Sequence, residues 1–166
     1  MREPTIPRDD RGGCPAGRVV CSALLPGGPR GRPDPEGDAM DWKLELVAVP
    51  VSDVDRAKAF YTDQVGFHAD HDHQVSDQLR FVQLTPPGSA CSIAIGTGLL
   101  PSPPGSLQGL QLVVADVHAA RAELAGRGVE VGDVQEFPWG SFVFFKDPDG
   151  NGWAVQQLPP RPPAGP

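Results

Sequence analysis

Asp147-Pro148-Asp149-Gly150-Asn151-Gly152-Trp153-Ala154-Val155-Gln156-Gln157 reads as a tight turn feeding a strand. Proline presets one φ, glycine and asparagine accept the left-handed values a reversal needs, and aspartate can bond backbone two residues on. Trp153 and Val155 then alternate with Ala154 and Gln156, the period of a strand with two unlike faces. Immediately upstream, residues 141–146 form a second short strand and residues 130–136 a third. Before these, residues 109–114 alternate Leu110, Leu112 and Val114 against Gln111 and Val113. Asp116 stands where a helix cap accepts orphan backbone N–H groups, so a helix is expected over about 117–127, ended by Gly128. The unit is strand, helix, three strands.

The same unit occurs earlier in the chain. Residues 44–51 alternate Val47, Val49 and Val51 with Leu46, Ala48 and Pro50. Ser52 or Asp53 caps a helix over about 54–64, with Asp55 placed after Ser52 as in a capping box, and Val54, Ala57 and Tyr61 share one stripe that ends at Gly66. Residues 67–74, 79–85 and 90–95 follow as three strands. Superposing Val51 on Val114 carries Asp53 onto Asp116, Val54 onto Val117, Ala57 onto Ala120 and Tyr61 onto Leu124. The expected fold class is therefore α+β. Two tandem βαβββ modules, about 44–95 and 107–158, are joined by a Gly/Pro/Ser-rich linker over 96–106. A module this small leaves one sheet face uncovered, so the two are expected to form a curved mixed sheet around a cleft, with the helices outside. Leu46, Ala48, Gln111 and Gln156 then lie on the cleft side.

Composition bounds what lies outside this region. The 166 residues hold 20 Gly and 20 Pro, concentrated toward the ends. Residues 1–39 read as a disordered extension, with Met40 as a candidate natural start, and 159–166 as a proline-rich tail. Arginines and acids balance within 1–39, so the net charge of −7 belongs to the remainder. An acidic domain repels phosphate backbones, and nucleic acid is set aside as a partner. No apolar run reaches the roughly 20 residues that span a bilayer, and no segment fits a signal peptide. Cys14, Cys21 and Cys91 fit no zinc spacing and read as unpaired thiols of a cytoplasmic protein.

Val51-Ser52-Asp53-Val54-Asp55-Arg56-Ala57 with Phe60-Tyr61 and Gly66-Phe67, the second copy Val114-Ala115-Asp116-Val117, and Asp147-Pro148-Asp149-Gly150-Asn151 together resemble the vicinal oxygen chelate superfamily. That superfamily takes in glyoxalase I, extradiol dioxygenases, bleomycin-resistance proteins and fosfomycin-resistance enzymes. The resemblance covers about residues 44–158. It implies a divalent metal held by one residue from the first and one from the last strand of each module, usually His, Glu or Gln. The matching positions are Leu46, Gly109, Ala154 and, as counterpart of Ala154, Ser92. None is a useful ligand, since Leu, Gly and Ala offer no side-chain donor. A register slip of two brings in Gln111 and Gln156 beside Ala48 and Ala94, a pair of amides better suited to anchoring an organic ligand than a metal.

No cofactor is therefore expected, a metal entering only through a non-standard site. His68, His71 and His73, interleaved with Asp70 and Asp72, read first as a solvated hairpin; alternation puts His71 and His73 on one strand face, so the second reading is a ligand-contacting or acid/base role if His73 faces the cleft, and the third a relocated metal site. Trp139 reads first as core or rim packing and second as a stacking platform; Arg80 reads first as an exposed strand residue and second as a binding group for an anionic part of a ligand. Ser92 and Cys91 have no base in reach. The leading functional expectation is a metal-independent binder of a small hydrophobic or antibiotic-like molecule, of the bleomycin-resistance type. Its contact set comprises Leu46, Ala48, His73, Ser92, Gln111, Trp139, Ala154 and Gln156. The rivals are an enzyme, either a lyase, isomerase or dioxygenase recruiting a metal through His71, His73 and a cleft glutamine, or a metal-free isomerase, and a scaffolding module. Unpaired sheet edges and the family resemblance lead to an expected homodimer.

Overall fold

The computed structural model describes residues 41–160. The disordered extension and start site expected over 1–40, and all but the beginning of the proline-rich tail, lie outside the described residues. Among those residues no helix is long and apolar enough to cross a membrane.

Each module folds into its own four-stranded mixed sheet. In the first, β1 (Leu46–Ala48), β2 (His68–Ser76), β3 (Leu79–Thr85) and β4 (Ser92–Thr97) lie in the order β1-β4-β3-β2. In the second, β5 (Leu110–Val114), β6 (Gln135–Phe137), β7 (Gly140–Lys146) and β8 (Gly152–Gln157) lie in the order β5-β8-β7-β6. β1 runs parallel to β4 and β5 to β8, while the other pairs are antiparallel. Parallel neighbours need a crossover; α1 (Val54–Ala59) and α2 (Val117–Gly126) begin those crossovers.

The caps form at the repeated aspartates. Asp53 accepts from Arg56 N at 3.0 Å, and Asp116 accepts from His118 N and Ala119 N. The alternative Ser52–Asp55 capping box does not form. Ser52 Oγ donates to Asp149, and Asp55 pairs with Arg80. Arg80 is correspondingly no free exposed cation, because Asp72 and Asp55 both hold it on the helix side of the first sheet. Hydrogen bonds from Arg80 and Lys58 keep the Asp72 carboxyl well below the usual carboxylate range, and the Asp72 partner pushes the Arg80 guanidinium above its own.

Three boundaries differ from expectation for identifiable reasons. The first helix changes after Ala59 into a π-helix over Phe60–Val65, where Gly66 N–H, at φ 90, and Phe67 N–H both reach Tyr61 O. β1 is short because Pro50 has no N–H to continue the ladder, and its carbonyl is taken by Asn151 Nδ2 at 2.9 Å. The strand expected over 130–136 is reduced to an isolated Val131–Phe145 bridge and then β6, since Arg121 of α2 claims the Gly132 carbonyl and the Asp133 carboxylate.

The two modules share one core. Val54, Ala57, Val82, Leu84, Ile93 and Ile95 from the first pack in the same cluster as Val117, Leu124, Val143, Phe145, Trp153 and Val155 from the second. Rings meet across the seam: Phe60 lies 6.3 Å from Phe145, and Trp153 lies 5.8 Å from Tyr61 and 5.7 Å from Phe67. A buried polar knot locks that seam. Tyr61 OH donates to Asp147 Oδ2 at 2.8 Å and accepts from Trp153 Nε1 at 3.1 Å. Asn151 Nδ2 donates to the same carboxylate oxygen at 2.7 Å, and Asn151 Oδ1 accepts from Leu107 N. Asp147 Oδ1 takes the N–H groups of Asp149 and Asn151. The turn motif is thus a joint between modules, and burial together with the Asp147 charge pushes the Tyr61 phenol well above its ordinary range.

Candidate functional site

The chemistry lies on the sheet faces turned away from the shared core. Strand pairing arranges the second sheet's face in rows. Ala154 sits between Gln111 and Phe144, and Gln156 sits between Val113 and Phe142. Gly152 faces Lys146, with Gly109 just before β5. Gly109 and Ala154 leave space beside the start of β8, while the Gln108 side chain covers Gly152, its Oε1 lying 2.2 Å from where a Cβ there would sit. A hollow of about 510 Å³ opens there, lined by Gly109, Gly152, Ala154, Phe144, Lys146 and Glu130 among others. Its edge continues into an aromatic surface: Phe142 stacks on Phe144 at 6.1 Å, Phe137 meets Phe142 edge-on at 5.6 Å, and Trp139 stacks on Phe137 at 5.3 Å. Trp139 is 59% exposed, Phe144 42% and Phe137 38%. Of the two packing positions expected for Trp139, core or rim, the structure places it at the rim, stacked on Phe137 at the outer end of the aromatic row.

The two expected glutamines are brought together by a mechanism that sequence did not reveal. Gln156, 6% exposed, donates Nε2 to the Trp139 carbonyl at 2.9 Å, and its Oε1 accepts from Gln111 Nε2 at 2.5 Å. Gly140, at φ 137, makes this possible, because a Cβ there would lie 2.4 Å from Gln157 O and 3.1 Å from Gln156 Nε2.

On the first sheet Leu46 pairs with Ser92 and Ala48 with Ala94, as Phe81 does with Gly96 and Gln83 with Ala94. His71 lies opposite Gln83 and His73 opposite Phe81, their rings stacked at 5.6 Å, on an exposed strand. A register shift between Ala69 and His71 adds Asp70 to this face, where Thr85 Oγ1 bonds it. Ser92 is fully engaged, accepting from Gln83 Nε2 at 3.1 Å and lying 2.6 Å from Thr85 Oγ1. It has no unclaimed hydroxyl for nucleophilic work.

Strand pairing also corrects one correspondence. The superposition that carries Ala48 onto Gln111 makes Ala154, opposite Gln111, the counterpart of Ala94 rather than of Ser92. With either correspondence the positions hold no set of donors that fits a divalent metal, and no three His, Cys, Asp or Glu side chains gather to hold one among the described residues. Phe137, Phe142 and Phe144 were missed in the sequence because β7 carries Phe142 and Phe144 on one face and Val143 and Phe145 on the other. With both faces apolar, alternation gives no signal.

A second cavity of about 510 Å³ lies beside Phe67, the 86–89 turn, β5 and α2. Its cation, Arg127, is already paired with Glu123 at 2.6 Å. Neither cavity is lined by the outward faces of both sheets.

Known proteins with this architecture bear on the site. The chain is 30% identical over 123 residues to the uncharacterized protein YetH of Bacillus subtilis (strain 168), spanning 69% of this chain and 98% of that protein. It is 38% identical, with a TM-score of 0.67, to the crystal structure of TnmS3, an antibiotic binding protein from Streptomyces sp. CB03234; the likeness covers 74% of this chain and 100% of that one. A glyoxalase/bleomycin resistance protein from the same Streptomyces is 41% identical with a TM-score of 0.62, covering 69% of this chain and 100% of that one. The family model of the Glyoxalase/Bleomycin resistance protein/Dioxygenase superfamily matches residues 43–155, and with two βαβββ modules, matching motifs and these relatives, the chain belongs to that superfamily.

Proposed function

We propose that this protein binds a small, flat, largely apolar molecule of the antibiotic-like kind on the outward face of its second sheet, and holds it without transforming it. The observation that carries this reading is the hollow over Gly109 and Ala154 running into the Phe144–Phe142–Phe137–Trp139 shelf. Its volume falls within the roughly 300–1,000 Å³ of small-molecule sites, and its lining combines Phe144, Phe145, Trp153 and Ala154 with the polar Gln108, Glu130, Lys146 and Asp147. Small residues at the positions where the family places metal ligands turn a coordination site into space. The exposed rings of Phe144, Phe137 and Trp139, with Phe142 buried between them, gain most from a planar partner, which buries area on both sides at little entropic cost. The antibiotic binding attributed to TnmS3, at 38% identity, supports the same class of ligand.

Catalysis by the groups at hand lacks an arrangement to perform it. Ser92 is saturated, and Asp70, on the same face as His71 and His73, is bonded by Thr85 Oγ1, so no three such side chains gather to hold a metal among the described residues. In the proposed binder, Leu46, Ala48 and His73 of the first sheet contribute the second wall of the cleft when a second copy of the chain supplies it. The unpaired outer edges of β1 and β5 favour that homodimer.

The test is a thermal-shift screen of planar aromatic and antibiotic-like compounds on the full chain and on Ala154→Leu. A ligand at 100 times its Kd stabilises the wild-type protein by about 2.7 kcal/mol. Ala154→Leu fills the hollow and abolishes the shift while folding normally. A ligand that shifts both proteins equally, or no ligand across the screen, overturns the assignment of this face.

A further inference from the structure

We infer that the crevice along the outer edge of β5 is a second small-molecule site, which takes an aliphatic monocarboxylate with its chain against the module seam and its carboxylate on Arg127. The site is separate from the aromatic face and does not depend on what binds there. Its walls come from both modules: Val65 and Phe67 at the end of the π-helix and Pro86 and Pro87 of the β3–β4 turn on one side, β5 and Leu124 of α2 on the other. Gln111, Leu112, Val113 and Val114 all line it. Successive residues of a strand point to opposite faces, so a cavity that meets four in a row lies along the strand's edge, the other edge of β5 being taken by β8. Four residues give the crevice a length of about 10 Å, and its volume of about 510 Å³ is that of a small-molecule site.

Apolar side chains supply the floor, with Phe67, Leu124 and Val155 all buried, so an alkyl chain lying in the crevice leaves water for a greasy surface. The polar lining residues Ser89, Gln111, Glu123 and Arg127 are all exposed, which confines polarity to the rim. Arg127 is held there by a glycine. Gly66 turns left-handed at φ 90, and a Cβ on it would lie 2.3 Å from Arg127 Nη1, so the missing side chain is the space in which the guanidinium rests. Arg127 Nη2 pairs with Glu123, and among the described residues no other group takes the remaining N–H donors. Both members of that pair are well exposed, and an exposed pair four residues apart on a helix is weak, so a ligand carboxylate displaces Glu123 or shares the guanidinium fork with it. The planar fork matches a carboxylate with two parallel bonds, an arrangement that a neutral head group does not reproduce.

Calorimetric titration of the full chain with octanoate and with octanamide tests this. The two probes share the alkyl chain and differ in charge. The wild-type protein is expected to prefer octanoate by about five- to tenfold. Arg127→Met removes the preference while the amide binds as before, and Glu123→Gln, which releases the guanidinium, strengthens octanoate alone. Ala120→Leu, at a partly buried position of α2 that lines the crevice, weakens both probes. Should Ala120→Leu fail to fold, the two variants at exposed positions carry the test by themselves. Ala154→Leu, which fills the hollow on the aromatic face, leaves octanoate binding unchanged; loss of binding in that variant places the probe in the hollow and overturns the assignment. Equal affinity for the two probes, binding of neither, or a preference that survives Arg127→Met overturns it as well. So does octanoate binding that disappears as rising protein concentration brings a dimeric mass, because a second copy of the chain is then the occupant of the β5 edge.

Discussion

Replacing Tyr61 with phenylalanine isolates the polar joint between the modules from their apolar packing. The ring stays against Phe60, Phe67 and Trp153, so the hydrophobic contribution is retained. Two hydrogen bonds are lost. That to the Asp147 carboxylate is worth about 1.5–3 kcal/mol, and the Trp153 indole N–H, on a residue only 3% exposed, is left without an acceptor at a further cost of about 1 kcal/mol or more. The total is about 3 kcal/mol, which for a domain of roughly 120 residues lowers Tm by about 10 °C. Thermal unfolding followed by circular dichroism reads it directly. A second readout uses the fact that Tyr61 is the chain's single tyrosine. Its folded-state pKa lies above the unfolded value near 10, so its contribution is complete below about pH 10 and is lost as pH rises beyond that. The wild-type protein is expected to show no tyrosinate absorbance until it unfolds at alkaline pH, and Tyr61→Phe to lack this added alkaline sensitivity. A Tm change below about 3 °C, or tyrosinate appearing near pH 10 in the folded protein, would refute the reasoning.

Gly140→Ala is expected to cost about 1–3 kcal/mol by chemical denaturation, because φ 137 and the 2.4 Å approach to Gln157 O both oppose a side chain; an unchanged midpoint would show that the turn relaxes freely. Asp72→Asn removes a carboxylate whose pKa is depressed, so its stabilisation is present above about pH 4 and fades as pH falls below it. The variant should be less stable at neutral pH by about 1 kcal/mol, the pair being partly exposed, and should converge with the wild-type protein in acid. A gap that widens on acidification would contradict this. Sedimentation equilibrium of the chain is expected to give a dimeric mass at micromolar concentration, while a monomer throughout would place the whole ligand site within one chain.

The architecture was legible because it rests on local chemistry. Asp53 and Asp116 announce their helices by capping, Gly66 and Gly128 end them, and alternation in 109–114 separates Leu110, Leu112 and Val114 from Gln111 and Val113, all within a few residues of chain. Repetition of that pattern, with turns at corresponding places, identifies two modules and through them the superfamily. What the chain does with its outward faces was decided by pairings between distant residues. The hollow exists because the β5–β8 pairing brings Gly109 beside the β8 residue Ala154, distant from it in sequence. The shelf exists because β6 and β7 bring Phe137 beside Phe142, and Gln111 is tied through Gln156 to a carbonyl at Trp139. Tyr61 reads as helix packing in sequence, yet its hydroxyl reaches Asp147 and its backbone bends into a π-helix. Helical and strand periods record which side of an element is apolar; they carry no record of which polar atom on another strand will meet it, and that meeting is fixed only when the two modules close on a common core.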